Sequence, residues 1–117
     1  MQTYKGTCHC GAVTFDFAHE AITGGLRCNC SICRRRGTVM SAFVLSPDEL
    51  RIHADEGALG CYGFGTQTAK HYFCTRCGIY PFHQTLRKPG HYRVNLGCID
   101  DLDTNAMDVR VFDGKNL

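Results

Sequence analysis

Long apolar runs are missing from this 117-residue sequence. A helix that crosses a membrane needs about 20 consecutive, mostly apolar residues, and no stretch approaches that length. The chain also opens without a charged region followed by a short apolar one, the signature of a secretory signal. We therefore expect a protein without membrane spans that resides in the cytoplasm, where thiols stay reduced.

A large net charge is missing as well. The formal charge of +2 at pH 7 is too small to indicate a nucleic-acid partner by itself. Internal repeats, low-complexity segments and linkers are absent, and a chain of this length buries roughly two-thirds of its unfolded surface. Residues 1–117 are therefore expected to form a single domain.

Cysteine, in contrast, is abundant. An odd total of nine cysteines, several of them two positions apart, does not fit a simple disulfide framework, and in a reducing compartment clustered cysteines indicate metal ligands first. Seven of the nine fall into three clusters, which are Cys8 and Cys10, then Cys28, Cys30 and Cys33, and finally Cys74 and Cys77.

Short alternating segments predict an all-β domain. Val13, Phe15 and Phe17 alternate with polar residues, the pattern of a half-buried strand. About seven to nine such segments follow at spacings of about 8–12 residues, which favours antiparallel sheets with little helix. We also expect a core strand over residues 39–45 and a helix of about one turn that begins at Ser46, a good N-cap residue.

The two cysteine pairs together supply four ligands, the number that structural zinc takes. Cys74 and Cys77 have the spacing of a zinc knuckle, and Gly78 can supply the positive φ that such a turn often requires. Cys8 and Cys10 lie 64 positions earlier, so a shared metal would close a long loop and stabilise the fold. Spacing favours this pairing, although Cys74 and Cys77 could instead pair with the Cys28 group.

The remaining cluster, Cys28, Cys30 and Cys33, has three cysteines and no fourth nearby. Zinc sites that do chemistry usually keep three protein ligands and leave one position to water or substrate. The cluster thus favours an open zinc site that ionises a substrate thiol. The alternative is a second structural zinc whose fourth ligand is Cys61, Cys98 or a histidine.

Arg34, Arg35 and Arg36 follow this cluster directly. Three thiolates leave a zinc site with net negative charge, so these cations could temper it or bind the carboxylates of an anionic co-substrate. We assign the co-substrate role to Arg34 and Arg35. The alternative is a solvated basic turn.

In order along the chain, these motifs resemble those of the glutathione-dependent formaldehyde-activating enzymes and their centromere-protein-V-like relatives. The similarity runs from about residue 4 to about residue 104, and Asn29 stands where many members carry histidine. It is carried by Cys8-His9-Cys10-Gly11-Ala12-Val13, Cys28-x-Cys30-Ser31-x-Cys33-Arg34, Phe73-Cys74-x-x-Cys77-Gly78 and Gly97-Cys98-Ile99-Asp100.

The resemblance implies a β-tent fold of short antiparallel sheets that is stapled by zinc. It implies a structural zinc on the two cysteine pairs, and a reactive zinc on Cys28, Cys30 and Cys33 to which glutathione can supply a thiolate. The family reaction is the addition of glutathione to formaldehyde, giving S-(hydroxymethyl)glutathione, by a carbon–sulfur lyase running in reverse. On this interpretation Cys28, Cys30 and Cys33 are the catalytic residues.

Two other functions fit the same cysteines. A non-catalytic zinc module would hold four protein ligands at both metals, and a redox sensor would release zinc when the Cys28 group is oxidised. A nucleic-acid role has only the three arginines in its favour.

Several single residues have less certain roles. Cys61 and Cys98 are expected to be small buried hydrophobes, and Asp100 and Asp101 either assist the reactive site or cap a turn. His71 and His83 flank the knuckle and could hydrogen-bond its ligands.

Overall fold

Nine short strands and one short helix make up the computed structural model, which describes residues 1–117. The helix α1 spans Ser31–Arg36, and 3-10 turns occupy Leu96–Cys98 and Gly114–Asn116. The nearly all-β architecture expected from the sequence is confirmed. The strands are β1 Gln2–Thr7, β2 Val13–His19, β3 Gly24–Cys28, β4 Arg51–Ala54, β5 Leu59–Tyr62, β6 Lys70–Cys74, β7 Phe82–Gln84, β8 Tyr92–Val94 and β9 Asp108–Phe112.

The strands form three separate sheets. A three-stranded sheet has the order β1-β2-β4 and a four-stranded sheet the order β5-β6-β7-β8, and both are antiparallel. The third sheet pairs β3 with β9 in parallel, in addition to the antiparallel sheets that the sequence predicts. Parallel strands need a long connection, and here most of the chain runs between them. This pair is tied to the rest by single bridges from Met40 to Leu26 and to Asn95.

The hydrophobic core lies between the two antiparallel sheets. Val13, Phe15 and Phe17 are all buried, as their alternation predicts, because every second side chain of β2 faces the same side. The Phe15 ring meets the Phe82 ring of β7 edge-on with centroids 5.9 Å apart. One cluster of 16 buried residues connects the sheets.

The expected strand at 39–45 is absent. The segment crosses between sheets and makes only isolated bridges at Met40 and Leu45. The buried Ser41 side chain makes two hydrogen bonds to backbone groups that strand pairing would otherwise satisfy. Its hydroxyl donates to the Phe43 carbonyl at 2.8 Å and accepts from the Val94 amide at 3.1 Å. A regular strand does not form because bends at Ala42 and Phe43 interrupt the backbone hydrogen bonds that the segment makes with residues 92–96.

The expected helix at Ser46 is a single turn. The Ser46 amide donates to the Glu49 carboxylate at 2.7 Å, and the Glu49 amide donates to the Ser46 carbonyl at 3.0 Å. The first bond is one half of a capping box, whereas the second is a turn bond between backbone groups, and no helix follows. The turn ends at once, since Leu50 enters the core and Arg51 begins β4.

Helix α1 was not predicted from the sequence. Its six residues are too few to reveal a helical period, and a tight turn was expected instead. None of the helices is long and apolar enough to cross a membrane.

Candidate metal and active site

The two cysteine pairs meet at one point of the fold. Cys8 and Cys10 lie in the turn after β1, whereas Cys74 ends β6 and Cys77 lies in the turn that follows. Their four Sγ atoms lie within 4.8 Å of one another. Cys10 Sγ is 3.7 Å from Cys8 Sγ and 3.6 Å from Cys74 Sγ. Tetrahedral zinc with bonds of about 2.3 Å separates its sulfurs by about 3.8 Å, so this donor set fits zinc.

Backbone amides stabilise these sulfurs as thiolates. Cys8 Sγ accepts from the Val13 amide at 3.3 Å, and Cys74 Sγ accepts from the Arg76 amide at 3.4 Å. The backbone amide of Ile79, followed by that of Cys10, lowers the pKa of Cys77 to about 6. These bonds favour the ionised thiols that zinc requires.

Glycines shape both turns of this four-cysteine site. Gly11 and Gly78 have φ values of 86° and 79°, which side chains rarely adopt. The prediction of a positive φ at Gly78 is confirmed. The backbone conformation of each turn therefore depends on the glycine that directly follows the second cysteine of the pair.

The three-cysteine cluster is built by the end of β3 and the start of α1. Cys28 is the last residue of β3, Cys30 is the N-cap of α1, and Cys33 lies three residues further along. In a helix, residues three apart lie on one face. The Sγ atoms lie within 4.8 Å of one another, no fourth ligating side chain joins them, and all three residues are half-buried. The set fits zinc with one coordination position left to another donor.

The thiols of this cluster differ in acidity. Burial raises the pKa of Cys33 to about 12. At Cys30 burial acts in the same direction, but hydrogen bonds from the Cys33 thiol and backbone outweigh it and lower the pKa. Without a metal ion Cys33 would stay protonated at neutral pH. A metal ion bound here would have to displace the proton of Cys33.

Arg36 connects the cluster to two aromatic rings. Its Nη2 donates to Cys33 Sγ at 3.1 Å, and its Nη1 lies 2.9 Å from Nδ1 of His71. The guanidinium sits 3.5 Å above the centroid of the Tyr80 ring, whose hydroxyl is 3.0 Å from the same Nδ1. Arg36 therefore places a positive charge directly beside Cys33.

A cavity of about 320 Å³ lies against the three cysteines, a volume suited to a small ligand. Cys28, Cys30 and Cys33 form one wall, and the basic side chains of Arg87 and Arg93 contribute to the rest. No aspartate or glutamate lines it. The other lining residues are Leu26, Ser31, Ile32, Thr38, Met40, Phe64, Ala69, His71, His83, Thr85, Leu86, Phe112, Gly114 and Leu117.

Arg34 and Arg35 lie outside this cavity. Both are exposed on α1, and Arg35 donates to the Ser31 carbonyl at 2.8 Å within the helix. Asp100 and Asp101 are exposed and do not line the cavity either.

The two isolated cysteines differ from each other. Cys98 is buried, as expected, and burial raises its pKa to about 12, so the thiol is unreactive at neutral pH. Cys61 is exposed, which overturns the expectation of a buried position. Its strand, β5, lies at the edge of the four-stranded sheet, where one face meets solvent.

His71 and His83 are buried in the wall of the three-cysteine cavity. The sequence suggested the four-cysteine knuckle instead, because both histidines are its neighbours along the chain. Arg87 and Arg93 were missed entirely. They follow Cys33 by more than fifty positions, and no local motif links them to it.

The fold and its two cysteine centres define a small all-β protein with one four-cysteine and one three-cysteine cluster, each of which could hold a metal ion. Comparison with known families matches residues 3–115 to the glutathione-dependent formaldehyde-activating enzyme family. The chain belongs to this family, which confirms the resemblance drawn from the motifs. It is also similar to the crystal structure of a Rhodobacter sphaeroides protein, with 37% identity and a TM-score of 0.79 over 91% of this chain and 99% of that one.

Proposed function

We propose that this protein binds glutathione or a related small thiol at the three-cysteine zinc site and adds it to a small aldehyde such as formaldehyde. The reaction is of the S-(hydroxymethyl)glutathione synthase type and forms one carbon–sulfur bond. One observation carries the proposal: Cys28, Cys30 and Cys33 converge without a fourth protein ligand on the wall of a cavity. Family membership supports the choice of substrates.

Zinc bound there would supply the charge that ionises a substrate thiol at neutral pH. The other contributions come from protein residues. Cys28, Cys30 and Cys33 would hold the metal, and Arg36 donates a hydrogen bond to Cys33 Sγ. The half-buried cavity limits the water that could compete for the aldehyde.

The cavity also suits the charges of glutathione, which carries two carboxylates and one ammonium group. Arg93 lies in the wall with one guanidinium nitrogen donating to the Ser41 carbonyl at 2.9 Å. Arg87 stacks over the Phe112 ring at 4.6 Å. Neither arginine forms a salt bridge with a protein carboxylate, so both can pair with a substrate carboxylate. The sequence led us to expect that Arg34 and Arg35 bind co-substrate carboxylates. Both lie on the outside of α1, so we give that role to Arg87 and Arg93 instead.

The test is zinc content per chain, combined with glutathione titration by calorimetry. Wild-type protein should hold two zinc ions and bind glutathione. Cys30→Ser should hold one zinc ion and lose glutathione binding, because two thiolates cannot retain the second metal. Cys61→Ser is the matched control, since Cys61 is exposed and outside both clusters, and should behave as wild type.

Two zinc ions that ignore glutathione would make the protein a structural zinc module and end the enzyme proposal. A redox sensor would instead lose zinc and free thiols on mild peroxide treatment, without any need for an aldehyde. Glutathione binding followed by adduct formation from formaldehyde separates the proposed enzyme from both.

A further inference from the structure

His71 is a buried histidine that lines the three-cysteine cavity but contacts none of the cysteine sulfurs by hydrogen bond. Only 6% of its surface is exposed. Its ring stacks on Phe64 with centroids 5.8 Å apart and an interplanar angle of 15°. This stacking and the contacts of Nδ1 with Arg36 and Tyr80 hold the plane of the imidazole in one orientation.

The hydrogen bonds of the ring determine which nitrogen carries the proton. Arg36 Nη1 lies 2.9 Å from Nδ1 of His71, and a guanidinium can only donate. Nδ1 must therefore accept. Burial, followed by the charge of Arg36, lowers the pKa of His71 to about 4, so the ring is neutral at pH 7. A neutral imidazole with an accepting Nδ1 carries its hydrogen on Nε2.

The Nε2–H group has no protein partner, although it is buried. Buried donors in folded proteins are almost always satisfied, and exceptions call for an explanation such as a ligand. The same wall contains a second unsatisfied atom, Nδ1 of His83, on a ring whose centroid is 5.8 Å from that of His71. The two histidines form a polar patch in a largely apolar cavity.

We propose that His71 is a catalytic residue whose Nε2–H donates a hydrogen bond to the carbonyl oxygen of the aldehyde. This inference rests on the proposed function and adds the group that stabilises the charge developing on oxygen. Preorganised donors of this kind in a site shielded from water are among the strongest contributors to catalysis.

The reaction balances without any further reactant. The substrate thiol gives its proton to solvent on binding, and a sulfur lone pair then forms the bond to the carbonyl carbon. The π electrons of the C=O bond move to oxygen, which takes one proton back from solvent. His71 keeps its own proton throughout, because a neutral imidazole N–H is a very weak acid, and acts only as a hydrogen-bond donor.

The test compares three variants with wild type. His71→Phe keeps a ring of similar size but removes the donor, and His71→Gln retains an N–H near the position of Nε2. His53→Gln is the matched control, because His53 is exposed on β4 and outside the cavity. Adduct formation from ¹³C-formaldehyde and glutathione is followed by NMR above the uncatalysed rate, and calorimetry gives the glutathione affinity.

We expect His71→Phe to lower kcat by about 100-fold or more while glutathione affinity stays within about twofold. His71→Gln should recover part of the rate, and His53→Gln should match wild type. A wild-type rate in His71→Phe overturns the role of His71 alone. No catalysis by wild-type protein would overturn the proposed function together with this role.

A second readout does not depend on turnover or on the folding of a variant. The ¹⁵N spectrum of the wild-type imidazoles should assign the proton of His71 to Nε2. That Nε2–H signal should shift when formamide, an unreactive carbonyl compound, is added to the glutathione-bound protein. A proton on Nδ1, or an Nε2–H signal that formamide leaves unchanged, would overturn the inference.

Discussion

At the scale of single residues, His83 couples the stability of the fold to pH. Only 7% of its surface is exposed, and burial, followed by the charge of Arg36, lowers its pKa to about 3. An unfolded histidine has a pKa of about 6.5. Below this value the unfolded chain binds a proton that the folded chain does not. The stability present above pH 6.5 is therefore lost progressively as the pH falls towards 3.

His83→Gln should flatten this dependence. Urea unfolding with excess zinc at about pH 7.5 and about pH 5.5 would measure it, and each such histidine contributes up to about 1.4 kcal/mol per pH unit. The slope should decrease without vanishing, because His71 titrates in the same direction. His53→Gln changes an exposed histidine and should leave the slope as in wild type. Equal slopes in wild type and His83→Gln would refute the assignment.

At the scale of elements, the C-terminal 3-10 turn is tied to the loop between β3 and α1. The Asn29 side chain donates to the Asp113 carboxylate at 2.9 Å and accepts from the Lys115 amide at 3.0 Å. Gly114 packs so closely that a Cβ there would lie 2.4 Å from Cys28 Sγ. The turn therefore covers one side of the three-cysteine cluster, and only glycine fits at this point.

Removing the Asn29 side chain should release this turn. Asn29→Ala loses two hydrogen bonds, each with a net contribution of about 0.5–1.5 kcal/mol. We expect faster hydrogen exchange at the Lys115 amide, measured by NMR, while exchange in β2 stays unchanged. Asn105→Ala alters an exposed asparagine whose side chain makes no hydrogen bond and serves as control. Unchanged exchange at Lys115 would mean that Asn29 does not hold the turn.

At the scale of the whole molecule, the four-cysteine site links the first turn of the chain to the middle of the four-stranded sheet. Cys10 and Cys74 are 64 positions apart, and a metal that closes so long a loop removes much entropy from the unfolded chain. Structural zinc contributes on the order of 10 kcal/mol of apparent binding energy. That is as large as the total stability of a typical domain, about 5–15 kcal/mol.

We therefore expect the protein to unfold when zinc bound at this site is removed. Cys77→Ser should lose the cooperative thermal transition seen by circular dichroism, and a strong chelator should act in the same way on wild type. Cys61→Ser, which changes an exposed thiol, should melt as wild type does. Cys30→Ser should remain folded, because its cluster contains only adjacent parts of the chain. A wild-type transition in Cys77→Ser would show that the core alone maintains the fold.

The sequence by itself determined the three-cysteine cluster, the two cysteine pairs, the strand β2 and the family. Ligand spacing is a local property, so Cys28, Cys30 and Cys33 are within reach of one ion whatever surrounds them. Alternation along a strand is equally local, so the sequence predicts that Val13, Phe15 and Phe17 lie on the same, buried face. The pairing of Cys8 and Cys10 with the distant knuckle could be favoured from ligand number, but spacing alone left another pairing open.

Only the tertiary structure decided what surrounds the three-cysteine cluster. The four-stranded sheet and its loop bring four basic side chains to the cavity, those of His71, His83, Arg87 and Arg93. The residues next to them in the sequence give no sign of this position. The segment 39–45 has a strand-like composition, but bends at Ala42 and Phe43 interrupt its pairing with β8. Cys61 lies on a strand at a sheet edge. Burial, hydrogen-bond partners and shifted pKa values are properties of contacts between distant parts of the chain. Local sequence patterns determine the candidate metal ligands, and long-range packing determines which groups surround them.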